Sequence, residues 1–260
     1  MSEPIKTVRN GKILEVTIDR PKANAIDAET SKLMGKIFKD FRDDPDLRVA
    51  ILTGAGEKFF CPGWDLKTAA EGAPPDDDYG VGGFGGLQEL PNMNKPVICA
   101  VNGIAFGGGF EIMISCDMIV AAEHATFALP EIKVGVLADA ATVKLRRRIP
   151  YHKAMQWLLL GETVSAQEAE RWGLVNEVVP ADKLMETARE WAQKLADGPP
   201  LVFAAIKQVM RETENVKEMD GLRLLNAKTF ATVKANYESE DLLEGTRAFA
   251  EKRKPVWKGR

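Results

Sequence analysis

Two glutamates stand in segments where acid–base chemistry could be carried out. Glu111 follows three consecutive glycines in FGGGFEIMISCD (106–117), and Glu131 lies in FALPEIKVG (127–135). A glycine inside a regular element costs roughly 0.5 to 1 kcal/mol relative to alanine, so three in a row indicate that another group must approach the backbone closely. A pair of carboxyls can divide the roles of acid and base when burial separates their pKa values. Alternatively, Glu111 is a first-turn helix residue and Glu131 is a charge at the end of a loop.

Other catalytic motifs are missing from the sequence. None of the five serines has a G-x-S-x-G setting, and there is no Walker motif. The match of GVGGFG (80–85) to G-x-G-x-x-G follows PPDDDY rather than a strand, so we interpret it as chance. His124 and His152 lack the spacing of metal ligands, and no metal site is predicted. The three cysteines are interpreted as reduced packing residues.

Composition excludes several classes of partner. The chain has a formal net charge of -3 and is 45% hydrophobic, so no basic field predicts binding to nucleic acid or to a membrane surface. Apolar stretches such as 97–101 are far shorter than the roughly 20 residues of a membrane span. The opening MSEPIKTVRNGK has no apolar signal core, and a cytoplasmic location is expected.

The elements that must position the glutamates can be predicted from periodicity. KILEVTID (12–19) alternates apolar and polar residues, which predicts a half-buried strand, and Asp27 is expected to cap a helix. A capping box predicts a second helix from Ser165 to Gly173. APPDDDYGVGGFGG (73–86) is expected to be a mobile surface loop. Three further apolar segments predict buried strands: VAILTG, PVICAVNG and DMIVAAEHATFALPE, the last of which contains two.

Helical periodicity dominates the chain from about Ala181 onward. The alternation of strands and helices before it predicts an α/β core with parallel or mixed strand pairing, covered by helices. We therefore expect a core domain over residues 1–195 and a C-terminal helical region over residues 196–260.

Four segments in order resemble the enoyl-CoA hydratase, or crotonase, family. They are KFFCPGWDLK, the stretch from KPVICAVNG to FALPEIKVG, AERWGLVNEVV and AFAEKRKPVWKGR, and together they span most of the chain. The resemblance implies a crotonase-like spiral of ββα units with a C-terminal helical trimerisation region. It also implies an acyl-CoA substrate, a trimer or a dimer of trimers, and no separate cofactor, because CoA is part of the substrate.

The resemblance also assigns expected roles to individual residues. Glu111 and Glu131 match the family's catalytic pair, and the backbone N–H groups of Trp64 and Gly108 match its oxyanion hole. Six further residues match positions that line the path of CoA, although the two lysines among them could be ordinary solvated lysines: Lys22, Ala23, Asp65, Leu66, Phe249 and Lys252.

The expected activity is the reversible hydration of a 2-enoyl-CoA to a 3-hydroxyacyl-CoA. Details such as RPKANAIDAETS and PGWDLKTAAEG resemble those family members that interconvert carnitinyl-CoA and crotonobetainyl-CoA, and this resemblance implies the same reacting pair. The aromatic face of Trp64 could hold the quaternary ammonium group, or it could pack against the acyl chain, and Phe84 could be a second pocket wall. Alternatives are a hydratase or isomerase acting on another acyl-CoA, and a non-catalytic or RNA-binding homologue suggested by KLRRR (144–148) and EKRK (251–254).

The sequence departs from the family pattern after PEIKVG. Relatives usually have a proline and a glycine-rich turn there, whereas this chain reads VLADAATVKLRRR (136–148). Side chains in this segment could narrow the acyl pocket or change the start of the following helix. Asp139 is expected to cap that helix rather than to touch the substrate.

Overall fold

The computed structural model of the protein describes residues 3–65, 74 and 77–260. The chain forms two compact units. The first comprises Met1–Pro91 and Val97–Ala192, and the second comprises Asn92–Pro96 and Gln193–Arg260.

A six-stranded sheet forms the centre of the first unit, with the order β1-β2-β3-β5-β7-β10. β1 pairs with β2 in antiparallel fashion, and all later neighbours are parallel. Every residue of β3 and β5 is buried, as expected for parallel strands that are covered on both faces. The strands are β1 Ile5–Asn10, β2 Ile13–Ile18, β3 Val49–Gly54, β5 Val97–Val101, β7 Met118–Ala122 and β10 Glu177–Val179.

The first unit also contains a four-stranded sheet, with the order β4-β6-β8-β9. Its strands are β4 Phe59–Cys61, β6 Ile104–Phe106, β8 Thr126–Ala128 and β9 Val164–Ser165. The chain passes three times from the larger sheet to the smaller one, from β3 to β4, from β5 to β6 and from β7 to β8. This repeated passage confirms the predicted α/β spiral.

The strand predicted from KILEVTID exists, but it is not half-buried. Glu15, expected on a solvated face, is only 9% exposed. Its carboxylate accepts two hydrogen bonds of 2.8 Å from the guanidinium of Arg189, 174 residues later in the chain. These bonds lower the pKa of Glu15 despite its burial. The sequence did not predict that the second face of this strand is covered, because the covering residue Arg189 lies in a helix that is distant along the chain.

The helices confirm the predictions from capping signals. The Asp27 carboxylate accepts the N–H of Thr30 at 2.8 Å and starts α1, Ala28–Asp43. Ser165 caps α5, Ala166–Arg171, by accepting the N–H of Glu168 at 3.1 Å. The Glu168 carboxylate binds the indole N–H of Trp172 at 2.6 Å. The other helices of the first unit are α2 Gly108–Met113, α3 Asp139–Lys144 and α4 Tyr151–Leu160.

Helices alone follow the last strand, as predicted from the periodicity after Ala181. They are α6 Leu184–Ala196, α7 Pro200–Thr213, α8 Glu218–Asn226, α9 Ala231–Tyr237 and α10 Glu240–Ala250. Within the second unit, the buried Asp241 carboxylate accepts the N–H groups of Lys258 and Gly259 at 2.8 and 2.7 Å, which fastens the end of the chain to α10. Among the helices of the described residues, none combines the length and apolar character needed to cross a bilayer.

The prediction of a mobile surface loop over residues 73–86 was wrong for its glycine-rich end. Gly82, Gly83, Gly85 and Gly86 are buried, and the N–H of Gly85 donates to Ser31 Oγ in α1 at 3.1 Å. A Cβ on Gly86 would lie 2.3 Å from the backbone nitrogen of Gly35 in α1. The glycines therefore serve close backbone packing, which composition alone cannot distinguish from a solvated turn.

Gly86→Ala should destabilise the protein more than Gly56→Ala. Both glycines have positive φ, +74° and +80°, but only Gly86 has neighbours within 4 Å of the added Cβ. We expect a loss of about 1 kcal/mol for Gly56→Ala from backbone strain alone, and of at least about 3 kcal/mol for Gly86→Ala. Urea denaturation measures both, and equal losses would contradict the packing of this loop against α1.

Candidate active site

The three consecutive glycines allow two backbone segments to touch. Gly107 has φ 53° and ψ -129°, and α2 begins at the next residue. A Cβ on Gly109 would lie 1.9 Å from the carbonyl oxygen of Cys61. On the other side of the contact, a Cβ on Gly63 would lie 2.8 Å from the nitrogen of Gly108. The glycines thus bring the segment after β4 directly onto the first turn of α2.

This contact brings together the backbone segments that carry the N–H groups of Trp64 and Gly108. Gly63 and Asp65 are fixed by hydrogen bonds of 2.9 Å to Ile26, one on each side of Trp64. Within the described residues, neither the Trp64 nor the Gly108 amide donates a hydrogen bond. Because backbone N–H groups are normally paired, two unpaired amides on touching segments are suited to bind an acceptor atom.

Glu111 lies in α2 with its carboxyl held by two donors. The residue is 7% exposed. Its Oε1 accepts the backbone N–H of Ala141 at 2.8 Å, and its Oε2 accepts the side-chain N–H of Gln88 at 3.4 Å. Burial raises the pKa of Glu111, while these two hydrogen bonds oppose the rise by favouring the carboxylate.

Glu131 approaches the same turn from the neighbouring strand. β6 and β8 run parallel with Phe106 opposite Ala128, so Gly107 and Glu131 emerge at the same edge of the sheet. A Cβ on Gly107 would lie 2.7 Å from Oε1 of Glu131.

The second carboxyl oxygen of Glu131 sits in a different environment from the carboxyl of Glu111. Its Oε2 is buried without a hydrogen-bond partner in the described part of the chain. Burial raises the pKa of Glu131 to about 7, and the negative charges of Glu111 and Asp139 add to the rise. The structure therefore brings together the two glutamates that sequence spacing alone could not connect.

This geometry can be compared with that of known proteins. The sequence model of the enoyl-CoA hydratase/isomerase family matches residues 8–260. The chain belongs to this family. A curated relative, the carnitinyl-CoA dehydratase of Salmonella typhi, is 54% identical over 261 residues and is aligned over 100% of both chains.

Solved structures of enoyl-CoA hydratases share the family fold. The enzyme from Mycobacterium tuberculosis H37Rv superposes with a TM-score of 0.90 at 34% identity, covering 99% of this chain and 100% of its own. The enzyme from Bacillus anthracis superposes with a TM-score of 0.89 at 33% identity, with the same coverage. Likeness at this level over whole chains confirms the crotonase-like fold predicted from the four sequence segments.

Three of the residues expected on the CoA path lie in the first unit and have different surroundings. Lys22 is exposed with φ 78°, and Ala23 is half-buried in the same turn. Asp65 has its carboxylate 3.4 Å from the guanidinium of Arg20, which also binds Asp27 at 2.5 Å. This ion-pair cluster fastens the Lys22 turn to the segment carrying Trp64. Leu66 lies outside the described residues.

The remaining two CoA candidates lie in the second unit. Phe249, near the end of α10, is 87% exposed. Lys252 is exposed with φ 53°, and its N–H donates to the carbonyl of Phe249 at 3.2 Å. Both side chains are therefore available at the surface of that unit.

Aromatic residues stand beside the glycine turn. A Cβ on Gly108 would lie 2.4 Å from Cε1 of Phe84, so the Phe84 ring covers this glycine. Tyr79 meets the Phe84 ring edge to face, with centroids 5.3 Å apart. The Phe84 ring thus lies against the Gly108 turn, its role as a pocket wall stays a prediction, and Tyr79 is an aromatic neighbour that the sequence did not predict.

Sequence reasoning also misjudged the segment that departs from the family pattern. Asp139 is the first residue of α3, and Ala138 occupies the N-cap position, so the prediction of an Asp139 cap was wrong. Lys144, interpreted as part of a basic run, is half-buried and donates to Gln88 and Ser115, both of which also bind Glu111. The sequence around Gln88 and Ala141 did not predict their contacts with Glu111, because both residues are distant from Glu111 along the chain and meet it only in the folded protein.

Metal ligands are not clustered anywhere in the part of the chain that is described. In residues 3–65, 74 and 77–260, no three His, Cys, Asp or Glu side chains form a set that could hold a metal ion. The three cysteines are free and buried. His124 places its Nε2 2.9 Å from the carbonyl of Glu57 and 3.2 Å from that of Asn102, which is a structural role.

The titration of Glu131 should report its closeness to Glu111. In the free protein we expect the Glu131 carboxyl to titrate at about pH 7. Glu111→Gln removes a neighbouring negative charge and should lower the Glu131 pKa, and Asp139→Asn should lower it less. Carbon-13 NMR of labelled glutamate measures all three midpoints. An unchanged Glu131 midpoint in Glu111→Gln would show that the two carboxyls are far apart.

Proposed function

We propose that this protein is a hydro-lyase that reversibly adds water to the double bond of a 2-enoyl-CoA thioester. The observation that carries the proposal is that the carboxyls of Glu111 and Glu131 lie beside the same backbone contact. Within residues 3–65, 74 and 77–260, the Trp64 and Gly108 amides at this contact donate no hydrogen bond. Membership of the enoyl-CoA hydratase/isomerase family supports it independently. No separate cofactor is required, because CoA is part of the substrate.

In the proposed reaction, the N–H groups of Trp64 and Gly108 bind the thioester oxygen. That oxygen gains negative charge when water adds to C3 and an enolate forms at C2. Fixed amides stabilise such charge without reorganising, and the loss of one comparable donor costs about 2.7 to 4 kcal/mol in a well-studied protease. The absence of side chains at residues 107–109 lets the Glu131 carboxyl, the Phe84 ring and the Cys61 segment lie against this backbone.

We assign the proton transfers from the surroundings of the two carboxyls. Glu111, with two N–H donors on its oxygens, is the carboxylate that removes a proton from water as the oxygen attacks C3. Glu131, with a pKa of about 7 and a bare oxygen, is the acid that delivers a proton to C2. The pair carries one proton throughout, and dehydration runs through the same steps in reverse.

The substrate we propose is carnitinyl-CoA, which loses water to give crotonobetainyl-CoA. Support comes from the relative named carnitinyl-CoA dehydratase, which is 54% identical over the full length of both chains. The aromatic side chains of Trp64, Phe84 and Tyr79 are suited to a quaternary ammonium group, since cation–π attraction contributes roughly 0.5 to 2 kcal/mol. Lys22, Ala23, Asp65, Leu66, Phe249 and Lys252 remain the proposed CoA contacts.

We also propose that residues 196–260 form the oligomerisation region of a trimer or dimer of trimers in the cytoplasm. Helices of this region expose large apolar side chains, among them Ile206, Met210, Met219, Leu222 and Tyr237. We expect these exposed side chains to be buried where subunits meet.

Glu111→Gln and Glu131→Gln should each lower kcat for hydration by at least about a hundredfold, because each removes a proton-transfer group. Binding of a CoA ester, measured by calorimetry, should change little, since neither carboxyl is a proposed CoA contact. Glu123→Gln, at an exposed glutamate, is the matched control and should keep wild-type activity. Full turnover in either active-site variant would refute the two-glutamate mechanism.

Replacing the Trp64 ring should selectively impair the cationic substrate. Trp64→Ala keeps the backbone N–H but removes the aromatic face, so kcat/KM for crotonobetainyl-CoA should fall about tenfold more than that for crotonyl-CoA. Trp64→Phe keeps an aromatic face and should retain most of the preference. Equal losses on the two esters would assign Trp64 to packing of the acyl chain or CoA.

A further inference from the structure

Lys144, the last residue of α3, is a half-buried lysine held in place by two acceptors. Its Nζ donates to the backbone carbonyl of Gln88 at 2.8 Å and to Ser115 Oγ at 2.7 Å. It belongs to the basic run 144–148, but Arg146 in the same run is exposed. The two cations therefore have different surroundings although the sequence presents them alike.

Both acceptors of Lys144 belong to residues that also bind Glu111. Gln88 donates its side-chain N–H to Oε2 of Glu111 at 3.4 Å. Ser115 donates its hydroxyl to the backbone carbonyl of Glu111 at 2.7 Å. The helix that ends at Lys144 also supplies the Ala141 N–H to Oε1 of Glu111 at 2.8 Å. One ammonium group thus joins the Gln88 loop, the end of α2 and α3 around a single carboxyl.

We propose that Lys144 is a positioning residue for Glu111: its ammonium group holds the donors of that carboxyl in place and puts a positive charge one hydrogen-bonded residue away from it. The geometric part of this inference stands on the contacts alone, whereas its kinetic consequence rests on the proposed hydratase function. The role assigned to Lys144 is indirect, because its Nζ contacts Gln88 and Ser115 rather than the carboxyl itself.

The charges around Lys144 and Glu111 determine the direction in which each group shifts the pKa of the other. Burial lowers the pKa of Lys144, and the negative charges of Glu111 and Glu89 and the Cys116 thiol oppose this, while Arg148 reinforces it. Lys144 in turn lowers the pKa of Glu111.

Asp139 acts on Glu111 in the opposite direction to Lys144, because its negative charge raises the pKa of Glu111. Glu131 also faces the site, and the negative charge of Glu111 raises the pKa of Glu131. Removing the lysine charge leaves the effect of Asp139 less opposed, so we expect the pKa of Glu111 to rise.

The direct test is the titration of the Glu111 carboxyl in the free protein by carbon-13 NMR, assigned by its loss in Glu111→Gln. Lys144→Met and Lys144→Gln should each raise the Glu111 midpoint by roughly 0.5 to 1 pH unit, because one nearby charge is lost in both. Lys144→Arg keeps the charge and should leave the midpoint within about 0.2 pH unit. Arg146→Met is the matched control from the same basic run and should leave it unchanged.

The kinetic test uses the pH dependence of kcat/KM for hydration. Its acidic limb, which reports the ionisation of Glu111, should move upward in Lys144→Met and Lys144→Gln by the same amount as the NMR midpoint. Arg146→Met should retain the wild-type profile. A lysine that served only as a packing group would lower kcat/KM without moving this limb.

The outcomes separate this inference from the proposed function. An unmoved Glu111 midpoint in both Lys144→Met and Lys144→Gln would overturn the inference, whatever the activity. A raised midpoint in a protein that hydrates no enoyl-CoA would support the inference and refute the proposed function. Should Lys144→Met fail to fold, Lys144→Gln still decides, because the glutamine amide keeps N–H donors while lacking the charge.

Discussion

The contact between the segment after β4 and the first turn of α2 is the constraint on which the site depends. Gly109 has room for no Cβ against the Cys61 carbonyl, and Gly63 has none against the Gly108 nitrogen. Any side chain at these positions would separate the two segments and move apart the amides of Trp64 and Gly108. The same turn also sets the direction in which α2 projects Glu111. The proposed oxyanion hole and the proposed acid–base pair therefore depend on the same backbone contact.

Placing two carboxyls beside this turn works against folding stability, because burial penalises the charged form of each. The two carboxyls differ in how far hydrogen bonds and nearby charge compensate for their burial. Glu111 receives two N–H donors and the nearby charge of Lys144, whereas Glu131 has a buried oxygen without a donor in the described residues. The pKa of Glu131 is raised to about 7, whereas the two hydrogen bonds and Lys144 oppose the rise in the pKa of Glu111. Such a difference is what a site needs if one group is to accept a proton while the other gives one.

The parallel pairing of the smaller sheet explains why residues twenty positions apart meet. β6 and β8 lie side by side in register, and the N–H of Gly107 donates to the Ala128 carbonyl at 2.9 Å. Parallel neighbours end at the same edge, so the segments that leave the two strands converge there. Because β6 and β8 are parallel neighbours, residues that are distant along the sequence become neighbours in space. No local pattern around either glutamate contains that information.

Local patterns were sufficient to predict the cap of α1 by Asp27, the buried strands and the helical C-terminal region, since each depends on neighbours within a few residues. Four motifs in order along the chain predicted the family, and the same motifs made the two glutamates candidates. Long-range packing decided the rest: Arg189 neutralises Glu15 from 174 residues away, and Lys144 reaches the Gln88 carbonyl across 56 residues. The burial of a charged side chain depends on which distant elements pack over it. A local sequence pattern does not show which elements these are.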